Sequence, residues 1–337
     1  MLFRSENYFS ARDNLEKAFE QAGSGELVHP WRGSMTVAIT DCRPSESIDQ
    51  GGRQSWSVTF TQTGKNIAPN IRPDTVAIVD AAADNAIAAA ENDFSETFAV
   101  DGLPEFVEAD ALTQIKTVLD TTLATVRGML PDMTILPAFI SNASSILTKA
   151  TQLMRLPSNL ATEISGQIAG ILGLGQSPLA AFNALKSLFG FTHKAGTRTT
   201  AARIQLDNNR QAVANITRRT AIIEAARSSA NINFDSRQQA VQARDAVVEA
   251  IESEQLSASD NVFNALADLR AAVVADVSTR AADLPELITY TPKATLPAVI
   301  LAYRIYGDAN KDADIIARNH IAHPGFVRGG QAIEILL

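Results

Sequence analysis

The sequence predicts an α+β protein that is mostly α: a small β-rich N-terminal domain, a long helical middle region and a C-terminal βααβ module. Three observations predict it. Apolar and polar residues alternate around Met35, Val37, Ile39 and again around Trp56, Val58, Phe60, the period-two pattern of half-buried strands. From Thr75 to Ala282 apolar residues recur at helical spacing in alanine-rich segments, which suits helices packed through small contact residues. After Pro285 a β-prone run, two short helical patterns and a closing β-prone run follow in succession. The expected domains are 1–65, 66–284 and 285–337.

In the first domain, Ser5 to Gln21 reads as a helix with Tyr8, Leu15 and Phe19 on one face, and that face should cover a hairpin. Pro30 and Gly33 bracket a turn preceded by Leu27 and Val28. Met35, Val37 and Ile39 then take one face of a strand, while Ser34, Thr36, Ala38 and Thr40 take the other. Asp49-Gln50-Gly51-Gly52 supplies turn residues, and the returning strand places Trp56, Val58 and Phe60 on the packed side. His29, beside Pro30 and Trp31, has no nucleophile or carboxylate constellation in the sequence, so a structural role is expected. The single cysteine, Cys42, reads as a half-buried small residue on or beside a strand.

A chain of 337 residues with 46% hydrophobic content can bury more than one core. No run of eighteen apolar residues occurs, so no membrane span is expected. No basic segment followed by an apolar one opens the chain, so Sec export is not expected either, and synthesis in the cytoplasm is the default. The net charge of −8 and pI near 5.1 count against a dedicated duplex-DNA binder, whose affinity comes mainly from neutralising phosphates. A locally basic face stays compatible with that balance.

The first middle helix, Thr75 to Phe98, offers Ile78, Ala81 or Ala82, Asn85 and Ala89 for close packing. Leu103 to Leu130 follows, with Pro104 at the first helical position, Glu105 and Glu108 favouring the dipole, and a stripe of Ile115, Leu119, Leu123 and Val126. Ala138 to Leu156 ends before Pro157, and Ser158 is expected to cap a segment running to Leu174. The glycines at 166, 170, 173 and 175 do not form a phosphate loop, because no G-x-G-x-x-G follows a strand and no Gly-Lys-Ser/Thr occurs. Gly166 and Gly170 instead suggest a small-residue face for close helix approach. The glycine-broken stretch from Ile164 to Phe191 suggests a buried helical hairpin.

Ala195 to Asn231 is the most basic stretch, with Arg198, Arg203, Arg210, Arg218, Arg219 and Arg227 against Asp207 and Glu224. One reading is a solvated face pairing with acidic neighbours such as Glu249, Glu252 and Glu254. The other is a surface facing DNA or an acidic subunit, carried by Arg203, Arg210, Arg218 and Arg219. Asp235 to Glu254 and Ser257 to Ala282 complete the helices, with Ala240, Val247, Ile251, Val262, Leu266, Leu269 and Val273 as core candidates and Ser257 or Ser259 as a cap.

In the last module, Leu287 to Thr291 and Ala332 to Leu336 read as strands. Between them, Leu296 to Tyr306 and Asp312 to Asn319 read as helices, with turns at Gly307–Asn310 and Pro324-Gly325. His320 and His323 are spaced H-x-x-H without a further ligand nearby, so hydrogen bonding is expected rather than zinc. No cofactor or metal is expected anywhere in the chain.

Two resemblances cover the ends. Gly25-Glu26-Leu27-Val28-His29-Pro30-Trp31-Arg32-Gly33, Ser45-Glu46-Ser47, Gly51-Gly52 and Phe60 to Gly64 resemble the N-terminal domain of the phage DNA circularisation (DNA circulation) protein N family of Mu-like tails and prophages. In that family His29, Pro30, Trp31 and Gly33 form a structural motif. Members usually carry a further strand-rich stretch before the helix, so the resemblance implies either a misassigned gene start or a reduced first domain here. Tyr306-Gly307-Asp308, Asn319, His323-Pro324-Gly325-Phe326 and Gly330-Gln331 resemble the LysM-like ends of phage baseplate and tail X proteins. That implies partner binding through Tyr306, Gly307, Asp308, Asn319, Pro324, Gly325 and Phe326, either to a protein or to peptidoglycan.

With no acid–base pair, nucleophile set or metal cluster legible, no enzymatic activity is expected. The resemblances imply a structural component of a contractile tail, in the baseplate hub or at tube initiation, located in the virion and assembled as a homo-oligomeric ring with other tail proteins. Two alternatives stay open: a protein binding the ends of injected DNA, and a peptidoglycan-binding accessory.

Overall fold

The computed structural model describes residues 2–3, 8–20, 23–46, 54–62, 74–129, 136–174, 177–196 and 198–337. The chain divides into two compact units, Met1–Pro73 and Asp74–Leu337. The expected turn at Asp49–Gly52 and Gly175 lie outside the described residues. The architecture is mostly α with two small antiparallel sheets.

The first unit contains β1 (Leu2–Phe3), α1 (Tyr8–Glu20), β2 (Gly25–His29), β3 (Gly33–Glu46) and β4 (Gln54–Gln62). The strands lie in the order β1-β4-β3-β2. β2 corrects the sequence reading, in which Leu27 and Val28 only led into a turn: it pairs with β3 from Gly25↔Val37 to His29↔Gly33. Only Leu27 and His29 of β2 are even half-buried, so its sequence carries no clear alternation. The β3–β4 register shifts between Ile39 and Asp41, which leaves Thr40 as the extra residue of a β-bulge. Val37 and Trp56 are buried, and the Phe19 ring meets Trp56 edge-on at 5.4 Å between centroids. Thus Leu15 and Phe19 of the expected face turn toward the sheet, while the side chain of Tyr8 lies outside the described residues. Phe60, expected on the packed side, is 38% exposed; it lines an open apolar groove with Leu15 and Phe19 rather than a closed core.

The second unit begins with α2 (Thr75–Thr97), α3 (Glu105–Met129), α4 (Leu136–Leu153) and α5 (Pro157–Ala169). It continues with α6 (Pro178–Lys186), α7 (Ala201–Ala230), α8 (Arg237–Gln255) and α9 (Asp260–Ala281). Caps set several boundaries: Asp74, Ser177, Thr200 and Ser236 each accept a backbone N–H three residues on, satisfying donors that the first turn cannot. α5 is opened by Pro157 inside the helix rather than by Ser158 as cap, because proline needs no N–H partner in the first turn. Pro104 likewise sits just before α3, whose residue Val107 donates to its carbonyl.

The buried face of α2 is Val79, Ala83, Ala86, Ala90 and Phe94, not the expected Ile78, Asn85 face; Ile78 is exposed. α7 packs against α2, α3, α5, α6, α8 and α9 and is the axis of the bundle. The expected core residues Ala240, Val247, Ile251, Val262, Leu266, Leu269 and Val273 are buried in one cluster with Leu160, Ile164 and Ile223. Of the glycine pair, only Gly170 is tight, with Phe139 Cε2 3.4 Å from where a Cβ would sit; Gly166 has nothing within 4 Å.

The same unit ends in β5 (Leu287–Tyr290), α10 (Ala298–Tyr306), α11 (Asp312–Arg318) and β6 (Ile333–Leu336). β5 and β6 pair antiparallel from Leu287↔Leu336 to Tyr290↔Ile333. This module has its own apolar cluster, including Leu301, Ala302, Ile315, Ile333 and Ile335. Gly307 ends α10 at φ 70°, the left-handed cap that glycine adopts without a Cβ penalty.

Gly329 lies against the Ala294 backbone, and a Cβ there would fall 2.6 Å from its carbonyl carbon. Gly329→Ala should therefore destabilise this module by about 1–3 kcal/mol. Gly325→Ala, with open space around it, should change stability by no more than about 0.5 kcal/mol in the same thermal or urea titration.

Candidate functional site

The basic stretch is where the sequence offers the most charge, and α7 shows where that charge goes. Arg210 makes a two-pronged bond to Asp110 of α3, with Nε at 2.8 Å and Nη2 at 2.5 Å, and donates to the Lys194 carbonyl. Arg218 reaches Glu254 of α8 through Nε and also donates to the Phe191 carbonyl and Asn215. Arg219, 1% exposed, donates to Asp93 of α2 at 2.5 Å and holds its Nε 3.4 Å from Glu254. Glu254 is thus shared by two guanidinium groups.

This corrects the DNA-facing reading for Arg210, Arg218 and Arg219. Their donors are directed into the bundle, and a guanidinium bound to a buried carboxylate is not presented to phosphate. Arg203 is exposed near the start of α7. The solvated-face alternative also changes, since the partner Glu254 is buried and the pairs lie inside the packing.

The extended segment before α7 is fastened by the same helix. Arg218 holds the Phe191 carbonyl, Arg210 holds the Lys194 carbonyl, and Asp207 accepts from Gly196 N at 2.7 Å and Arg198 Nε at 2.6 Å. The Gly196 backbone bond first, then the Arg198 bond, hold the Asp207 carboxyl below its ordinary value. Glu224, on the opposite end of α7, behaves in reverse. Burial pushes its pKa up despite Arg227 beside it, with Asp84 and Asp80 adding to the rise.

In the C-terminal module, the predicted residues divide into braces and surface. Asn319 closes the free side of β6: its Oδ1 accepts from Glu334 N at 2.7 Å, and its Nδ2 donates to the Glu334 and Ile315 carbonyls. Tyr306 Oη accepts from Leu336 N at 3.2 Å. Asp308 accepts from Asn310 N and caps the turn after Gly307. The Pro324 carbonyl accepts from Ala298 N at 2.7 Å, and Gly325 follows it in the same loop. Phe326, at 74% exposed, projects outward, as do Val299, Ile300 and Tyr303 of α10. Asn319 and Tyr306 are therefore committed to the fold, while Phe326 is on the surface. The apolar outer face of α10 carried no signal in the sequence, where it reads as core.

In the first unit, Arg32 N donates to the His29 carbonyl at 3.2 Å and Trp31 N donates to His29 Nδ1 at 3.2 Å. Gly33 completes the turn at φ 73°, the left-handed residue that a three-residue hairpin loop requires, and Pro30 is preset for a turn. His29, Pro30 and Gly33 thus shape the hairpin, whereas Trp31 is 91% exposed at its tip. Cys42 is half-buried. Burial, then the Asp41 and Glu16 carboxylates, push its thiol up, which favours the less nucleophilic protonated form. Among the described residues no group of three His, Cys, Asp or Glu side chains is placed to hold a metal ion, and no helix is long and apolar enough to cross a membrane.

The segment carrying this hairpin decides the comparison with known proteins. Residues 1–37 match the family described as DNA circularisation protein N-terminus. The match runs from α1 through the His29–Gly33 turn into β3. Across 98% of its length the chain is also similar to the Mu-like prophage FluMu DNA circularization protein of Haemophilus influenzae, at 22% identity over 395 residues and 86% of that relative. The similarity to that phage protein therefore extends through the helical body and the βααβ module.

Three consequences are measurable. Arg219→Ala leaves Asp93 without its partner and Glu254 with Arg218 alone, and should cost about 3–5 kcal/mol in urea unfolding. Asn319→Ala, which removes both bonds to Glu334, should cost about 1–3 kcal/mol. The Glu224 carboxyl titrates higher in the folded chain than in the unfolded one, so its contribution is present below 4.5, its ordinary value, and is lost as pH rises through the folded pKa. Glu224→Gln should accordingly be more favourable at pH 7 than at pH 4, as read from chemical denaturation at both.

Proposed function

We propose that this chain is a structural component of a contractile Mu-like phage or prophage tail, in the baseplate hub or at tube initiation, and that it acts by protein–protein assembly rather than catalysis. The observation that carries this reading is the disposition of charge and apolar surface. Arg210, Arg218 and Arg219 of the basic stretch are directed inward onto Asp110, Glu254 and Asp93, while large apolar side chains face outward: Trp31 in the first unit, and Tyr303 and Phe326 in the second. Exposed aromatics are the residues that protein interfaces favour. The similarity to the FluMu protein supports a phage setting. The βααβ module, with its LysM-like resemblance, serves in this reading as a joint to a neighbouring baseplate protein through Phe326 and the α10 face.

The printed name of the relative, a DNA circularization protein, keeps a DNA-end role as the second reading. A peptidoglycan accessory is the third, through the LysM-like module. Tails purified after prophage induction separate the three. The tail reading expects the chain in the particles at fixed copy number by quantitative mass spectrometry, with tails absent or incomplete when the gene is deleted. Intact tails lacking the chain would overturn it. Binding to linear duplex with a steep salt dependence, or pull-down by insoluble peptidoglycan, would then identify which alternative holds.

A further inference from the structure

Among the described residues of the second unit, the three most exposed large apolar side chains are Leu256, Phe326 and Tyr303. They lie on two separate surfaces. Leu256, 90% exposed, stands in the turn between α8 and α9. Its backbone is held there, since Ser257 N donates to the Glu254 carbonyl and Gln255 Nε2 donates to the Phe263 carbonyl at 3.1 Å. Phe263 is exposed as well. The charges around this turn are carboxylates. Glu252 precedes it on α8 and is met by Arg270. Asp260 opens α9 and lines one cleft with Glu96 of α2, and both are exposed with no cation beside them among the described residues.

Tyr303 and Phe326 belong to the βααβ module. Val299, Ile300 and Tyr303 are the exposed apolar residues of α10. The loop carrying Phe326 is bonded to the start of that helix, through the Pro324 carbonyl to Ala298 N and through Val327 to Leu296. The charges here have the opposite sign. Arg304 follows Tyr303, Arg328 lies two residues beyond Phe326, and Lys293 precedes α10; all three are exposed and lack a carboxylate partner among the described residues. The carboxylates of Asp308, Asp312 and Asp314 come after the C-terminal end of α10. The two surfaces do not meet within one chain. The module is fastened to the start of α8, where Arg237 N donates to the Pro285 carbonyl and Gln238 binds both backbone groups of Leu287. Leu256 follows the other end of that helix, nineteen residues long, or roughly 28 Å at about 1.5 Å per residue.

We propose that a second copy of this chain docks its α8–α9 turn onto the α10 face, seating Leu256 and Phe263 against Tyr303 and Phe326. Glu96 and Asp260 then face Arg304, Arg328 and Lys293 around the apolar centre. An apolar centre inside a charged rim is the usual anatomy of a specific interface. The signs choose the pairing. Two turns brought together would set carboxylates against carboxylates, and two α10 faces would set cations against cations, whereas a turn on an α10 face matches opposite charges. Donor and acceptor are different surfaces, so the contact is head-to-tail, and repeated copies close into a ring or extend as a filament. The inference rests on the assembly reading above and names the neighbour as another copy; the tail location does not enter its test.

The test is sedimentation velocity on the full purified chain across a dilution series, at low and at high salt. Self-association is expected in the tens of micromolar and should weaken as salt rises, because the rim charges are exposed. Leu256→Glu and Tyr303→Glu, both at exposed positions, should each weaken it by at least roughly thirty-fold with unchanged circular dichroism. Phe326→Glu serves as the second acceptor variant if Tyr303→Glu alters the circular dichroism. Each variant keeps one surface intact, so an equimolar mixture of a donor and an acceptor variant should form a dimer and stop there. A wild-type chain that stays monomeric at tens of micromolar would overturn the inference. Association that survives either substitution would also overturn it, by putting the interface elsewhere, while leaving the assembly reading intact. Monomeric variants that fail to combine would exclude the head-to-tail pairing, and association that strengthens with salt would remove the charge match that selects a second copy.

Discussion

The helical unit depends on how α7 is neutralised. A thirty-residue helix at the axis of a bundle is ordinarily apolar on every face, yet α7 carries Asp207, Arg218, Arg219 and Glu224 into the packing. Burying one such charge alone costs several kcal/mol. Each is paired: α8 gives Glu254 to Arg218 and Arg219, α2 gives Asp93 to Arg219 and Asp80 and Asp84 to Arg227, and α3 gives Asp110 to Arg210, while Asp207 is met by Arg198 ahead of the helix and Glu224 by Arg227 on the helix itself. The ion pairs fix which helix lies where around α7. Apolar contacts among alanines would specify such an arrangement poorly, because alanine faces are nearly interchangeable.

That division of labour runs through the chain. In the bundle, polar groups face inward in matched pairs, and small side chains allow close approach, as where Gly170 meets Phe139. In the βααβ module a side chain replaces a missing strand, with Asn319 binding both polar groups of Glu334 on the free side of β6. In the first unit the hairpin turn is built from main-chain and His29 bonds, so Trp31 is not needed to hold it. Where local bonding already suffices, a large apolar residue is released to the surface.

How much of this the sequence discloses follows from the range of each interaction. The alternation at Met35–Ile39 and Trp56–Phe60 and the glycine turn at Gly307 act over a few residues, and they placed strands and turns closely. The face of α2 was misjudged because Ala81, Ala82, Ala83, Ala86, Ala89 and Ala90 give almost no contrast between sides. The arginines were misjudged for another reason. Arg219 meets Asp93 across 126 positions of sequence, and an arginine reads the same whether it faces water or a distant carboxylate.

The fastening of residues 191–196 along α7 bears on how this fold tolerates divergence. Arg218 and Arg210 grip that segment through the carbonyl oxygens of Phe191 and Lys194, and Asp207 takes the amide of Gly196. Every residue type presents a carbonyl, and all but proline present an amide. Substitutions along the segment can accumulate without loosening it, provided the three gripping side chains stay. A lineage can thus rewrite much of this region and keep the same tertiary wiring, which suits a protein whose similarity to a phage relative spans nearly its whole length at 22% identity.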